Sequence, residues 1–164
     1  MNRSLSELEI IQNPALGAYL LWRFGVSYQA SDGRQAPFHL FFLVLPLVLH
    51  RHTLSKISST QRASGLALFA AKLAEERENL MAIHNRTLSL RRLSLQSLAM
   101  GADHRLLSIS ATDATVRANT ADERFRVPTL PDRLTSLARA PEKLGYWCSQ
   151  FSLHQIAKTL MVDF

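Results

Sequence analysis

From Pro37 to Leu49 the chain runs Phe38-His39-Leu40-Phe41-Phe42-Leu43-Val44-Leu45-Pro46-Leu47-Val48 between its flanks, and it stops at His50-Arg51-His52. The run is too apolar for a surface. It is also too short for a bilayer, since a spanning helix needs about 20 apolar residues. It predicts a helix that wants protein on nearly every side, opened by Pro37 and kinked or cut short by Pro46. A chain of 164 residues has little room to enclose such a helix. The same feature therefore predicts that part of it lies against another subunit, with Phe38, Phe41, Phe42 and Leu45 as interface residues.

The hydrophobic fraction of 47% and charged fraction of 20% exclude a disordered chain. The length predicts one domain over 1–164: N-terminal helices to about residue 57, a winged-helix-like part over 58–120, and C-terminal helices over 128–164. The single cysteine, Cys148, cannot form an internal disulfide, which points to a reducing compartment. Met1 to Glu7 carries no apolar signal region, so a cytoplasmic protein without a membrane segment is expected. The net charge of +6 attracts polyanions, because Lys and Arg that neutralise phosphates release counterions. An acidic protein partner satisfies the same charge.

Asn13-Pro14 predicts a helix start, Asn as the cap and Pro at the first helical position. Leu16, Tyr19, Leu20, Phe24 and Tyr28 then recur at three- and four-residue steps. After the apolar run, Ser58-Ser59-Thr60 reads as a second cap leading into Ala63, Leu66, Leu68, Phe69 and Leu73. A third helical region is expected from about Glu75 to Met100. Its buried set is either Leu80, Ile83, Leu90 and Leu98 or Met81, Leu88 and Leu95. Leu88 to Leu95 also alternates like a strand, although Gln96 to Met100 continues without a turn signal. Beyond Gly101, Arg105 to Ser110 and Ala114 to Ala118 predict a hairpin around Ala111-Thr112-Asp113. A polar stretch runs from Asn119 to Arg124, and Pro128, Pro131 and Asp132 punctuate the way onward. Helices are then expected from Arg133 to Ala140, from Pro141 through Phe151, and after a Ser152 cap. The fold class is mainly α: a helical domain with a winged-helix-like β-hairpin over 106–118 and C-terminal helices. The rival is an all-helical bundle with an incidental hairpin.

No catalytic constellation stands out. The glycines are scattered and no Gly-Lys-Ser/Thr occurs, so no phosphate loop is predicted. Cys148 beside Trp147 reads as a small buried hydrophobe rather than a nucleophile paired with His154. His50 and His52, two apart on a helix, diverge and do not suggest zinc. No cofactor, metal or catalytic residue is expected. Glu75, Glu76 and Glu78 complement the dipole of a helix start. Arg86, Arg91, Arg92 and Arg105 flank the expected recognition helix and wing. They are candidate DNA phosphate contacts, with a solvated face or an acidic protein surface as the alternatives.

Asn13-Pro14-Ala15-Leu16-Gly17, the Pro37 to Leu49 block ending in Leu45-Pro46-Leu47, and Glu142-Lys143-Leu144-Gly145-Tyr146-Trp147 with residues 156–164 together resemble a known family. It is the middle component of bacterial three-component ABC (ABC-3C) defence systems, related to the Lamassu type of anti-phage and anti-plasmid system. The resemblance spans most of the chain and is weakest through residues 75–135. It implies a small non-enzymatic subunit that works with an SMC-like ABC ATPase and an effector, often a nuclease. Such a subunit meets DNA through the complex and restrains the effector until foreign DNA is sensed. The family has no catalytic residue to carry over. A free-standing winged-helix DNA-binding regulator is the alternative function.

Overall fold

The computed structural model describes residues 12–120 and 129–164. The expectations placed on Met1 to Glu7, on residues 121–124 and on Pro128 lie outside the described residues. Helix α1 spans Pro14–Gln29. It begins as the sequence predicts, with Pro14 at its first position and the Asn13 side chain accepting the Ala15 N–H at 2.9 Å. Leu16, Tyr19, Leu20, Phe24 and Tyr28 are buried, and so are Ala18, Leu21 and Trp22. The helix is covered on more than one side because α6 (Arg91–Asp103) and α7 (Thr135–Ser149) both pack along it. Two glycines make this possible. A Cβ on Gly17 would run into the Ser97 hydroxyl of α6, and one on Gly145 of α7 would run into the Phe24 carbonyl oxygen of α1.

The apolar run divides into a 3-10 turn over Phe38–Leu40 and a short helix α2, Phe41–Val48, with Pro46 near its end. The chain then bends by 100° into α3, Arg51–Ser59. So small a protein encloses most of this helix, and within Phe41–Val48 Phe42 alone stays partly exposed. Phe41, Leu43, Val44, Leu45, Leu47 and Val48 are all buried. Only about 12 Å long, α2 is short enough for α1, α5 (Arg77–Ser89), α6 and α7 to close around it.

Helix α3 is absent from the sequence reading, which began a helix at Ser58-Ser59-Thr60. Those residues end one instead. Its start is capped by His50, whose Nδ1 faces the Thr53 N–H at 3.4 Å, rather than by a usual capping residue. Helix α4, Gly65–Ala74, follows a 3-10 turn over Arg62–Ser64 and buries Leu66, Phe69 and Leu73. The region expected from Glu75 to Met100 is two helices, α5 and α6, broken at Leu90. The first predicted set faces inward, with Leu80, Ile83 and Leu98 buried and Leu90 half-buried. Met81, Leu88 and Leu95 are exposed.

The predicted hairpin pairs β2, Leu107–Ser110, with β3, Thr115–Ala118, in the register Leu107↔Ala118 and Ile109↔Val116. A strand the sequence did not signal, β1 (Ala36–Pro37), lies on the other side of β3, giving the sheet order β1-β3-β2. Two residues are too few to show a period of two. The Phe38 N–H continues the pairing onto the Ala114 carbonyl at 2.8 Å and so ties the head of the apolar run to the hairpin.

The break expected at Pro141 does not occur. Helix α7 runs through it from Thr135 to Ser149. Burial of Ala138, Ala140, Leu144, Trp147 and Cys148 outweighs the lost backbone bond. Helix α8, Leu153–Leu160, starts at Ser152 with a full capping box to Gln155. It ends at Met161 in a left-handed conformation, φ 54°. The fold is mainly helical, with a small antiparallel sheet and C-terminal helices.

Candidate functional site

The side chains with the best chemistry are held by the fold itself. Cys148 is buried, and burial pushes its thiol up to about 12, so no thiolate forms near neutral pH. His154, its sequence-proposed partner, is exposed. His50 and His52 take separate duties. The first caps α3 and bonds Thr53 Oγ1 at 2.9 Å; the second lies 3.8 Å from a Glu76 carboxylate oxygen. Among the described residues no group of three His, Cys, Asp or Glu could hold a metal ion. A pocket of about 350 Å³ between α1 and α7 is lined by Tyr19, Arg23, Leu130, Arg139 and Glu142, among others. Its Glu142 is ion-paired with Arg23 and supplies no free base.

The four candidate phosphate contacts do not come together. Arg86 turns inward from α5: one Nη donates to Thr53 Oγ1 at 2.9 Å and to the Pro46 carbonyl at 3.4 Å, and the other donates to the Asn79 carbonyl at 3.3 Å. The Pro46 carbonyl lies near the end of α2, and Arg86 ties it to the start of α3. In this structure Arg86 serves the fold, its half-buried guanidinium engaged by three acceptors rather than presented with the other arginines. Arg91 and Arg92 are exposed at the start of α6. Arg105 is exposed beyond the other end, about 20 Å away along the helix axis, in a left-handed conformation with φ 60°.

The expected partner residues also separate. Phe41 and Leu45 are fully buried, Phe41 edge-on to Phe24 at 5.2 Å, so neither reaches a partner. Phe38 and Phe42 stay partly buried, at the edge of the core, and pack edge to face at 5.3 Å. Around them lies a surface that the sequence reading missed. The Phe38 ring adjoins His39 at 6.5 Å, and His39 adjoins Phe164 at 5.9 Å. The Asp163 N–H then donates to His84 Nδ1 at 3.4 Å on α5. His84 shares a helix face with Met81 and Leu88 (three- and four-residue steps). Along this path Phe164, Met161, Met81 and Leu88 are large apolar side chains that are 45%, 52%, 53% and 56% exposed. Residues 161–164 reach this surface only through the turn at Met161, which no helical period could reveal.

The residues that carry the family resemblance are packing residues. Trp147 is fully buried, stacks on Phe69 at 5.6 Å and donates its indole N–H to the Arg62 carbonyl at 2.8 Å. Lys143 donates to the carbonyls of Ile57, Ser58 and Thr60 at 3.2, 3.0 and 2.9 Å, closing the C-terminal end of α3. Burial, then the nearby Lys72, lowers its pKa below the ordinary lysine value. No described helix is long and apolar enough to cross a membrane. No curated protein and no solved structure matches the sequence. Over residues 1–164 the chain matches the family model for the ABC-three component (ABC-3C) system Middle Component 3. This chain belongs to that family of middle components.

Proposed function

We propose that this middle component is a non-enzymatic accessory subunit of an SMC-like ABC ATPase complex in Lamassu-like defence against phage or plasmid DNA. It docks on the ATPase and bridges it to an effector, a nuclease in the simplest case. DNA is met through the complex, in the cytoplasm. The observation that carries this reading is the apolar surface from Phe42 and Phe38 through Phe164 to Leu88, on a chain whose family is defined by its place among other components. A stable interface buries on the order of 1,000 Å² or more, with aromatic residues near its centre. Phe38 and Phe164 are the natural centre of such a contact. Co-expression with the ATPase and effector of the same system, followed by size-exclusion chromatography, tests it. Co-elution is expected. A well-behaved monomer that never co-elutes, with or without ATP and DNA, would refute the subunit reading.

A second reading has one observation in its favour. Helix α6 leads into a hairpin whose strand β3 also pairs with β1, between α1 and α2, and a winged-helix reading takes that hairpin as its wing. A free-standing regulator of that kind is a symmetric dimer that binds a palindromic duplex by itself. Sedimentation of the isolated chain with duplex DNA separates the two readings.

A further inference from the structure

We infer that the face around the α5–α6 junction docks an acidic amphipathic helix of another component of the system, a conclusion that rests on the subunit reading above. Leu88 in the last turn of α5 and Leu95 in the second turn of α6 flank the break at Leu90 and are 56% and 43% exposed. Between them stand Arg91 and Arg92, both exposed. From Asn79 to Ala102 the sequence contains no Asp or Glu, so these two guanidinium groups have no acidic neighbour on their own helices. On α6, Leu95 lies four residues from Arg91 and three from Arg92, which puts an apolar anchor and a positive charge side by side, while Leu88 stands just across the break.

That combination discriminates between occupants. A phosphate backbone rewards the arginines and gives nothing for two large leucines held in water. A second copy of this chain would set Arg91 and Arg92 against their own like charges, which costs association. A helix carrying Leu or Met anchors with Asp or Glu a turn away satisfies both features at once. Its apolar side chains cover Leu88 and Leu95, and its carboxylates accept from the guanidinium forks. Arginine is also the charged residue that protein interfaces favour.

The test uses the full chain co-expressed with the ATPase and effector of its system. Two double variants are compared with wild type, Leu88→Ser with Leu95→Ser and Arg91→Glu with Arg92→Glu. All four side chains are exposed, so both variants should melt close to wild type. Each is expected to weaken association with a partner component by about tenfold or more. The arginine variant should also flatten or reverse the salt dependence of association. Several results would overturn the assignment. Wild-type complex formation with both variants unchanged removes this face while leaving the subunit reading standing, and failure of wild type to form any complex removes both. A self-associating chain that the leucine variant turns monomeric assigns the face to a second copy. Duplex binding lost in the arginine variant but kept in the leucine variant assigns it to nucleic acid.

Discussion

Trp147 shows how much one residue of the tail decides. Its ring fills space between α4 and α7, stacked on Phe69, and its indole N–H closes the Arg62 carbonyl. Trp147→Ala should cost about 3–5 kcal/mol, the usual penalty for truncating a buried aromatic, and a urea titration would measure it. An unchanged midpoint would mean the ring is exposed. Arg86 makes the opposite point. By type and charge it reads as a phosphate contact, yet it spans the turn between α2 and α3 from inside. Arg86→Met should destabilise by about 1–3 kcal/mol through the acceptors left unpaired. It should leave the salt slope of DNA binding by the assembled complex unchanged. A shallower slope with unaltered stability would return Arg86 to the DNA-contact set.

At the scale of elements, α3 depends on both of its ends. Lys143 and Lys72 hold its last carbonyls, and His50 caps its start. Burial first, then the positive charges of Arg86 and His52, holds the His50 pKa below its ordinary value. A proton on Nδ1 would also remove the acceptor that receives the Thr53 N–H. The unfolded chain therefore binds this proton more readily than the folded one, and stability rises with pH through the window. The His50 contribution is complete above about pH 6.5, the ordinary histidine value. It is lost as pH falls through the lower folded-state value. His50→Asn keeps a capping side chain that does not titrate. The stability gap between wild type and this variant should narrow or reverse between about pH 7 and pH 5. A gap independent of pH would show that His50 is not the titrating cap. Helix α8 offers a simpler case: Ser152→Ala removes the capping box and should cost about 1 kcal/mol by thermal melt.

For the whole molecule, which carries a net charge of +6, the basic residues proposed for DNA do not gather in one place. Arg91 and Arg92 stand at one end of α6 and Arg105 at the other, while Lys143 and Arg86 are spent inside. The isolated chain should therefore bind duplex DNA weakly and without sequence preference, with a dissociation constant of about 10⁻⁴–10⁻⁶ M that rises steeply with salt. Fluorescence anisotropy at two salt concentrations checks this. Tight binding to a palindromic site would favour the regulator instead.

The α1 start, the hairpin and the Ser152 cap could be read from the residues alone, because each rests on local chemistry: a side-chain oxygen beside free N–H groups, or alternation over four residues. The family, too, was legible in motifs whose members prove to be close-packing glycines and buried rings. Local chemistry could not say what surrounds the apolar run. Enclosure of α2 depends on helices from distant parts of the chain meeting around it. It could not find α3, whose cap is an imidazole and whose far end is closed by a lysine 83 to 86 residues away. Nor could it carry α7 through Pro141, where packing outweighs a missing backbone bond. The exposed apolar surface is a product of the same long-range order. Residues 161–164 fold back beside His39 and His84, so exposed apolar side chains scattered along the sequence become neighbours only once the helices have packed.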